Sequence, residues 1–142
     1  MRNILVTGGK GPERHEYINK KLNTLIENKE NIVIFDATYS FGIYNDYLNV
    51  VYFSVDHVLN YIEKLKELNN SNEKVYIISD IYGGLFFSKE NKELMLSLLS
   101  KKERVSVTFY TRHLSYVPES FLEYFDERIE FEDELVVIAN NS

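Results

Sequence analysis

Val75-Tyr76-Ile77-Ile78-Ser79-Asp80 places apolar residues in succession and then ends on a serine and a carboxylate. An unbroken apolar run rich in β-branched and aromatic side chains suits a strand covered on both faces, because a half-exposed strand would alternate polar and apolar positions. The same pattern recurs on either side of it. Ile4-Leu5-Val6-Thr7, Ile32-Val33-Ile34-Phe35-Asp36, Val50-Val51-Tyr52-Phe53-Ser54-Val55 and Val105-Ser106-Val107-Thr108-Phe109-Tyr110 are the counterparts. Strands are therefore expected over 3–7, 32–36, 50–55, 74–80 and 104–110.

Between these runs the period changes to that of a helix. Ile18, Leu22, Leu25 and Ile26 form an apolar stripe after Pro12. A second stripe, Val58, Leu59, Ile62, Leu65 and Leu68, follows a helix cap expected at Asp56, and a third runs through Leu94, Met95, Leu98 and Leu99. Pro118 is expected to start a short helix with Phe121, Leu122 and Phe125 inward. Ile129-Glu130-Phe131 and Leu135-Val136-Val137-Ile138 are expected to close the chain as a strand pair around Glu132-Asp133-Glu134. Strands alternating with helices predict an α/β three-layer sandwich with a mainly parallel central sheet.

The 142 residues suit one domain with its own core, and the absence of cysteine excludes thiol catalysis, Cys-based metal sites and disulfides. Sixteen Lys and Arg against 22 Asp and Glu leave a net charge of −6, which disfavours nonspecific attraction to DNA and to anionic membranes. With no signal-like or membrane-length apolar run, a cytoplasmic protein is expected.

In a parallel sheet ligands bind outside the carboxyl ends of the strands, which directs attention to Gly8 through His15, Asp36, Asp80 and Thr111-Arg112-His113. Gly8-Gly9-Lys10-Gly11-Pro12-Glu13-Arg14-His15 can be laid on the phosphate-binding pattern G-x-x-x-x-G-K-[ST]. Gly8 then matches the first glycine, while Glu13, Arg14 and His15 stand where the second glycine, the lysine and the Mg²⁺-binding hydroxyl belong. Alternatively, Ile4 through Gly11 resembles the opening of extended short-chain dehydrogenases and epimerases, with Asp36 placed for ribose. In that frame the third fingerprint glycine falls at Arg14, and the pair Tyr17 and Lys21 has the catalytic spacing in the wrong helix.

The second half of the chain favours the first frame. Val75 to Asp80 resembles a Walker B strand ending in its metal-binding aspartate. Phe109-Tyr110-Thr111-Arg112-His113-Leu114-Ser115-Tyr116-Val117-Pro118 resembles the sensor strand of the FtsK/HerA group of DNA-pumping ATPases, which includes viral packaging and Zot-type members and ends that strand in Thr-Gln-Arg-x-x-x-x-Pro. Phe125 to Phe131 resembles the passage that follows. The resemblance spans residues 3 to about 132 and implies a P-loop NTPase-like core of the RecA/FtsK/HerA kind. It further implies ATP on Gly8, Gly9, Lys10, Gly11, Arg14 and His15, with Mg²⁺ at Asp80, and makes Asp80 and Arg112 the catalytic candidates.

Ile81 stands where that group has the glutamate that polarises water, and Arg112 where it has the sensor glutamine. The resemblance therefore implies a degenerate domain with weak or no ATPase activity, a binding or assembly partner of viral or mobile-element kind. The alternatives are a divergent ATPase for DNA translocation or packaging, and a Rossmann-type dinucleotide binder. The acidic balance favours a protein partner or a homo-oligomer over DNA. In a P-loop protein of this group the strand ending in Asp80 is expected beside the one ending in Thr7; a Rossmann unit places the strand ending in Asp36 there.

Each of these residues also has a plainer reading. The glycines can simply turn the chain, Asp80 can cap a turn before Gly83-Gly84, and Arg112 can make an ordinary loop ion pair or reach a neighbouring subunit's phosphate. His15, His57 and His113 share no ligand spacing. Lys101, Lys102 and Arg104 form a short basic cluster suited to DNA or to a solvated helix end. Tyr39, Phe41, Tyr44, Tyr47, Tyr52 and Phe53 predict either a satellite apolar cluster or a partner surface in a connection of about a dozen residues.

Overall fold

The computed structural model describes residues 1–54, 58–81 and 88–131. In chain order the elements are β1 (Ile4–Gly8), α1 (Gly11–Glu27), β2 (Ile32–Asp36), β3 (Val50–Ser54), α2 (Val58–Asn70), β4 (Val75–Asp80), α3 (Lys89–Leu99), β5 (Val105–Thr111) and β6 (Glu127–Phe131). Short 3-10 helices at Gly42–Asp46, Leu114–Tyr116 and Glu119–Tyr124 fill the connections. The expected cap at Asp56, His57, the side chains of Val58 and Leu59, Gly83-Gly84 and the run Leu135 to Ile138 lie outside the described residues.

Among the described residues the strands form one six-stranded sheet in the order β3-β2-β4-β5-β1-β6, and every neighbouring pair is parallel. Because successive side chains on a strand face opposite ways, the continuous apolar runs split into two cores. Leu5, Val33, Phe35, Ile77, Val107 and Phe109 face Leu65 and Leu68 of α2 and Met95, Leu98 and Leu99 of α3. Ile4, Val6, Ile32, Ile34 and Ile78 face Ile18, Leu22 and Leu25 of α1, with Phe41 and Tyr44 closing that layer. Each such fully buried side chain contributes about 1.5–3 kcal/mol relative to exposure.

The strand order corrects one expectation. The strand ending in Asp80 does not adjoin the strand that runs through Thr7, because β5 lies between them. All seven residues of β5 are buried, and only an interior position gives such a strand cover on both faces and partners on both edges. The Rossmann arrangement is not met either, since both β4 and β5 separate β2 from β1. At the other edge, β6 pairs parallel with β1, in the register Ile4 with Glu127 through Gly8 with Phe131.

The start of β1 is pinned by Asn3, whose buried side chain donates to Leu99 O at 2.8 Å and Tyr124 O at 3.0 Å and accepts from Val107 N at 2.9 Å. These bonds tie α3, β5 and the Glu119–Tyr124 helix to the same point. The register that results brings the carboxyl ends of β1, β4 and β5 together.

Candidate functional site

A cavity of about 780 Å³ opens at those carboxyl ends, lined among others by Gly11, Arg14, His15, Asp80, Thr111 and Arg112. The structure thus gathers most of the residues singled out in the sequence into one place. Gly8 and Gly9 sit just behind it, at the turn from β1 into α1.

That turn needs its glycines. Gly8 and Gly9 have φ of 76° and 67°, a region that side chains with a Cβ avoid. A Cβ on Gly8 would run into the backbone carbonyl of Phe131, and one on Gly9 would lie 2.6 Å from Phe131 Cβ and against the Glu13 carboxylate. Gly11, in contrast, faces open space. It already belongs to α1, with Pro12 in the first turn, so only Gly9 and Lys10 lie between strand and helix. Pro12 has no N–H to offer a ligand, and the Glu13 N–H donates to Lys10 O at 3.2 Å. Lys10 is the N-cap residue and supplies no side-chain cap.

Arg14 Nη1 donates to the carbonyl oxygen of Gly8 and, at 2.8 Å, to that of Gly9. Burial and the neighbouring Arg112 lower its pKa from the ordinary arginine value, against the opposite pull of Asp80 and Glu13. At the next residue of the helix, His15 Nε2 lies 3.1 Å from Ser40 O, and the ring packs 4.6 Å from that of Phe41. Facing a carbonyl, that nitrogen carries the proton and acts as donor. The Gly8 N–H donates to Arg112 O at 3.3 Å, fastening the turn to the end of β5, where the Arg112 side chain is exposed.

Two aspartates stand side by side with different occupations. Asp36 is 1% exposed and fully engaged: Oδ2 accepts from Phe41 N at 2.7 Å and from Tyr52 Oη at 2.8 Å, and Oδ1 from Thr38 N and Oγ1 at 3.3 Å. It folds the connection after β2 back over the cavity. Asp80 is 6% exposed, and its Oδ2 is buried without a hydrogen-bond partner. Burial, and secondarily the charge of Asp36, raise its pKa from 3.8 to about 6, although Thr38, the Ile81 N–H and Arg14 pull it down. Thr111 Oγ1 is likewise buried without a partner. Burial is also the first cause that pushes the Tyr110 phenol well above its usual value, followed by the charges of Asp80 and Asp36. Ile81 is only 2% exposed, and its N–H donates to Tyr110 O at 3.2 Å.

Sequence reasoning missed the role of Asp36 and the seat of His15 on Ser40 and Phe41. A signal was present in Asp36-Ala37-Thr38, where a carboxylate can bond the backbone two residues on. The aromatic connection divides: Phe41 and Tyr44 are buried, with Tyr44 Oη donating to Asn19 Oδ1 at 2.9 Å, while Tyr39 and Tyr47 are exposed. The basic cluster is engaged within the chain. Lys101 bonds Ser97 Oγ at 3.0 Å, Lys102 pairs with Asp126 at 2.7 Å, and Arg104 donates to Leu68 O at 2.9 Å. Among the described residues no group of three or more His, Cys, Asp and Glu could hold a metal ion, and no helix is long and apolar enough to cross a membrane.

No family model matches the sequence, and no curated protein is similar to it. Solved structures do match the fold. The cytoplasmic domain of EssC superposes with a TM-score of 0.73 at 11% identity over 99% of this chain. ATPases 2 and 3 of EssC from Geobacillus thermodenitrificans give 0.67 at 12% over 94%. This chain spans 35% and 32% of those two structures, about a third of their length. The genome packaging NTPase B204 from Sulfolobus turreted icosahedral virus 2, in complex with ATP-gammaS, gives 0.61 at 15% over 92% of this chain and 73% of its own. The chain therefore has a P-loop NTPase fold, as the FtsK/HerA resemblance implies.

Proposed function

We propose that this chain is a degenerate P-loop domain that hydrolyses ATP weakly or not at all and acts as a binding or assembly partner of another protein. The observation that carries the reading is Ile81, buried directly after Asp80, where the resemblance puts the glutamate that polarises the attacking water. An apolar side chain held there cannot orient water.

The rest of the site supports the same reading. A triphosphate cradle needs a loop of free N–H groups, but α1 begins at Gly11, Pro12 lacks a donor and the Glu13 N–H is spent on Lys10. Arg14, at the phosphate-binding lysine's position, spends Nη1 on the Gly8 and Gly9 carbonyls. His15 replaces a hydroxyl that would hold Mg²⁺, and a protonated Nε2 facing Ser40 is no ligand for a hard cation. These residues do not fit a hydrolysing Mg²⁺-triphosphate site. Loss of one preorganised donor commonly costs about 10²–10³ in rate, so losses in cradle, metal site and water site together reduce turnover to background. The net charge of −6 favours a protein partner over a nucleic-acid track.

One observation favours a divergent ATPase instead. Asp80 Oδ2 and Thr111 Oγ1 are both buried without partners, on residues that line the cavity with Arg14 and Arg112. A titration with ATP and Mg²⁺, read alongside phosphate release, separates the readings. Absent or turnover-free ATP binding supports the degenerate domain. Hydrolysis lost in Asp80→Ala supports the ATPase.

A further inference from the structure

Three buried oxygens without a hydrogen-bond partner belong to residues that line the cavity: Asp80 Oδ2, Tyr110 Oη and Thr111 Oγ1. Asp80 aligns with Tyr110 across β4 and β5, and alternation along the strands puts both on the α1 face, with Thr111 next at the end of β5. A buried polar atom left without a partner is costly, most of all when it belongs to a carboxylate. Thr38 and the Ile81 N–H act on the Asp80 carboxylate, yet Oδ2 keeps no donor.

Charge defines the missing group. Among the charges that act on Asp80, repulsion from Asp36 outweighs attraction by Arg14. Arg14 commits Nη1 to the Gly8 and Gly9 carbonyls, and the other cations of the lining, Lys20 and Arg112, are exposed. In a chain of net charge −6, the buried end of the cavity therefore calls for a cation that donates hydrogen bonds. A divalent metal needs a shell of several oxygen ligands, and among the described residues no group of three or more His, Cys, Asp and Glu could hold one. A guanidinium pairs best through parallel bonds to both oxygens of a carboxylate, whereas only Oδ2 of Asp80 is buried without a partner. A primary ammonium is a compact charge with three donors, one for each of the three oxygens.

The walls indicate what carries that ammonium. Phe41, Ile81 and Tyr116 line the same cavity and offer apolar surface to the methylene stem of a lysine. At about 780 Å³ the cavity is also far larger than a lone alkylamine fills, within the range of about 300–1,000 Å³ usual for whole-ligand pockets. We propose that the cavity is a lysine socket, into which a protein partner inserts a lysine side chain whose ammonium donates to Asp80, Tyr110 and Thr111. The inference rests on the reading of this chain as a degenerate binding domain, and it names the contact through which the domain binds. Ile81, which cannot orient water, then serves as a wall for the lysine stem.

The test is a ¹H–¹⁵N nuclear magnetic resonance titration of the full chain with the peptide acetyl-Ala-Lys-Ala-amide, its Arg and Gln counterparts, and n-butylammonium chloride. The lysine peptide is expected to bind about tenfold or more tightly than either counterpart and than the bare amine, shifting the amide signals of Ile81, Tyr110 and Thr111. Asp80→Asn, with an unchanged circular dichroism spectrum, is expected to weaken that binding about tenfold or more. The location of the shifted amides in the native chain decides the matter if Asp80→Asn fails to fold. Equal binding of the three peptides, butylammonium bound as tightly as the lysine peptide, or no binding in the absence of ATP hydrolysis would each overturn the socket and leave the degenerate reading standing. Mg²⁺-dependent phosphate release that is lost in Asp80→Ala would overturn both.

Discussion

Replacing Asp36 with alanine removes the buried carboxylate that ties the connection after β2 to the end of that strand. The side chain is buried and accepts from Phe41 N at 2.7 Å and Tyr52 Oη at 2.8 Å, with two longer bonds from Thr38. The variant leaves the Phe41 N–H and the Tyr52 hydroxyl without their acceptor, and an orphaned buried donor costs about 1–3 kcal/mol. The pair therefore costs about 2–6 kcal/mol, a large part of the 5–15 kcal/mol typical of a whole domain. For a chain of this size the midpoint of thermal unfolding should fall by roughly 6–20 °C. Urea and thermal melts followed by circular dichroism read the loss directly. Asp36→Asn keeps one acceptor oxygen, so it should lose about half as much. A change below about 1 kcal/mol in Asp36→Ala would refute the assignment of this residue to architecture and reopen a ligand-binding role for it.

Other consequences follow from single residues. The Asp80 pKa lies above its unfolded value, at about 6 against 3.8, so between those values the folded chain holds a proton that the unfolded chain releases. Stability should therefore fall as pH rises through that window, by on the order of 3 kcal/mol in total at 1.36 kcal/mol per pH unit. Asp80→Asn should remove the dependence and stabilise the chain at pH 7 by on the order of 1–3 kcal/mol, which urea melts at pH 4.5 and pH 7 would check. Gly8→Ala should destabilise by more than about 1 kcal/mol, because a Cβ meets the Phe131 carbonyl at positive φ; Gly11→Ala should be neutral or gain up to about 1 kcal/mol.

The strands were legible because each is a run of apolar residues buried on both faces, and periodicity reports that directly. The order of the strands was not, since β5 enters between β1 and β4 for a reason visible only when its full burial is known. The location of the site was legible too: Gly8, Asp80 and Thr111 all stand at strand ends, where a parallel sheet binds ligands. What those residues do there depends on rotamers and on neighbours distant in sequence. Arg14 turning back onto Gly8 and Gly9, and Asp36 spending itself on Phe41 and Tyr52, leave no trace in spacing. The aromatic connection was ambiguous for the same reason, because burial of Phe41 and Tyr44 beside exposure of Tyr47 is decided by where α1 lies.

The proposed function is that of a domain that keeps the P-loop fold and lacks its chemistry. Phosphate release from ATP in the presence of Mg²⁺, measured for the native chain beside Asp80→Ala, addresses that claim directly. Rates for the two that equal each other and the protein-free background are the predicted result. Turnover by the native chain that vanishes in Asp80→Ala would contradict it.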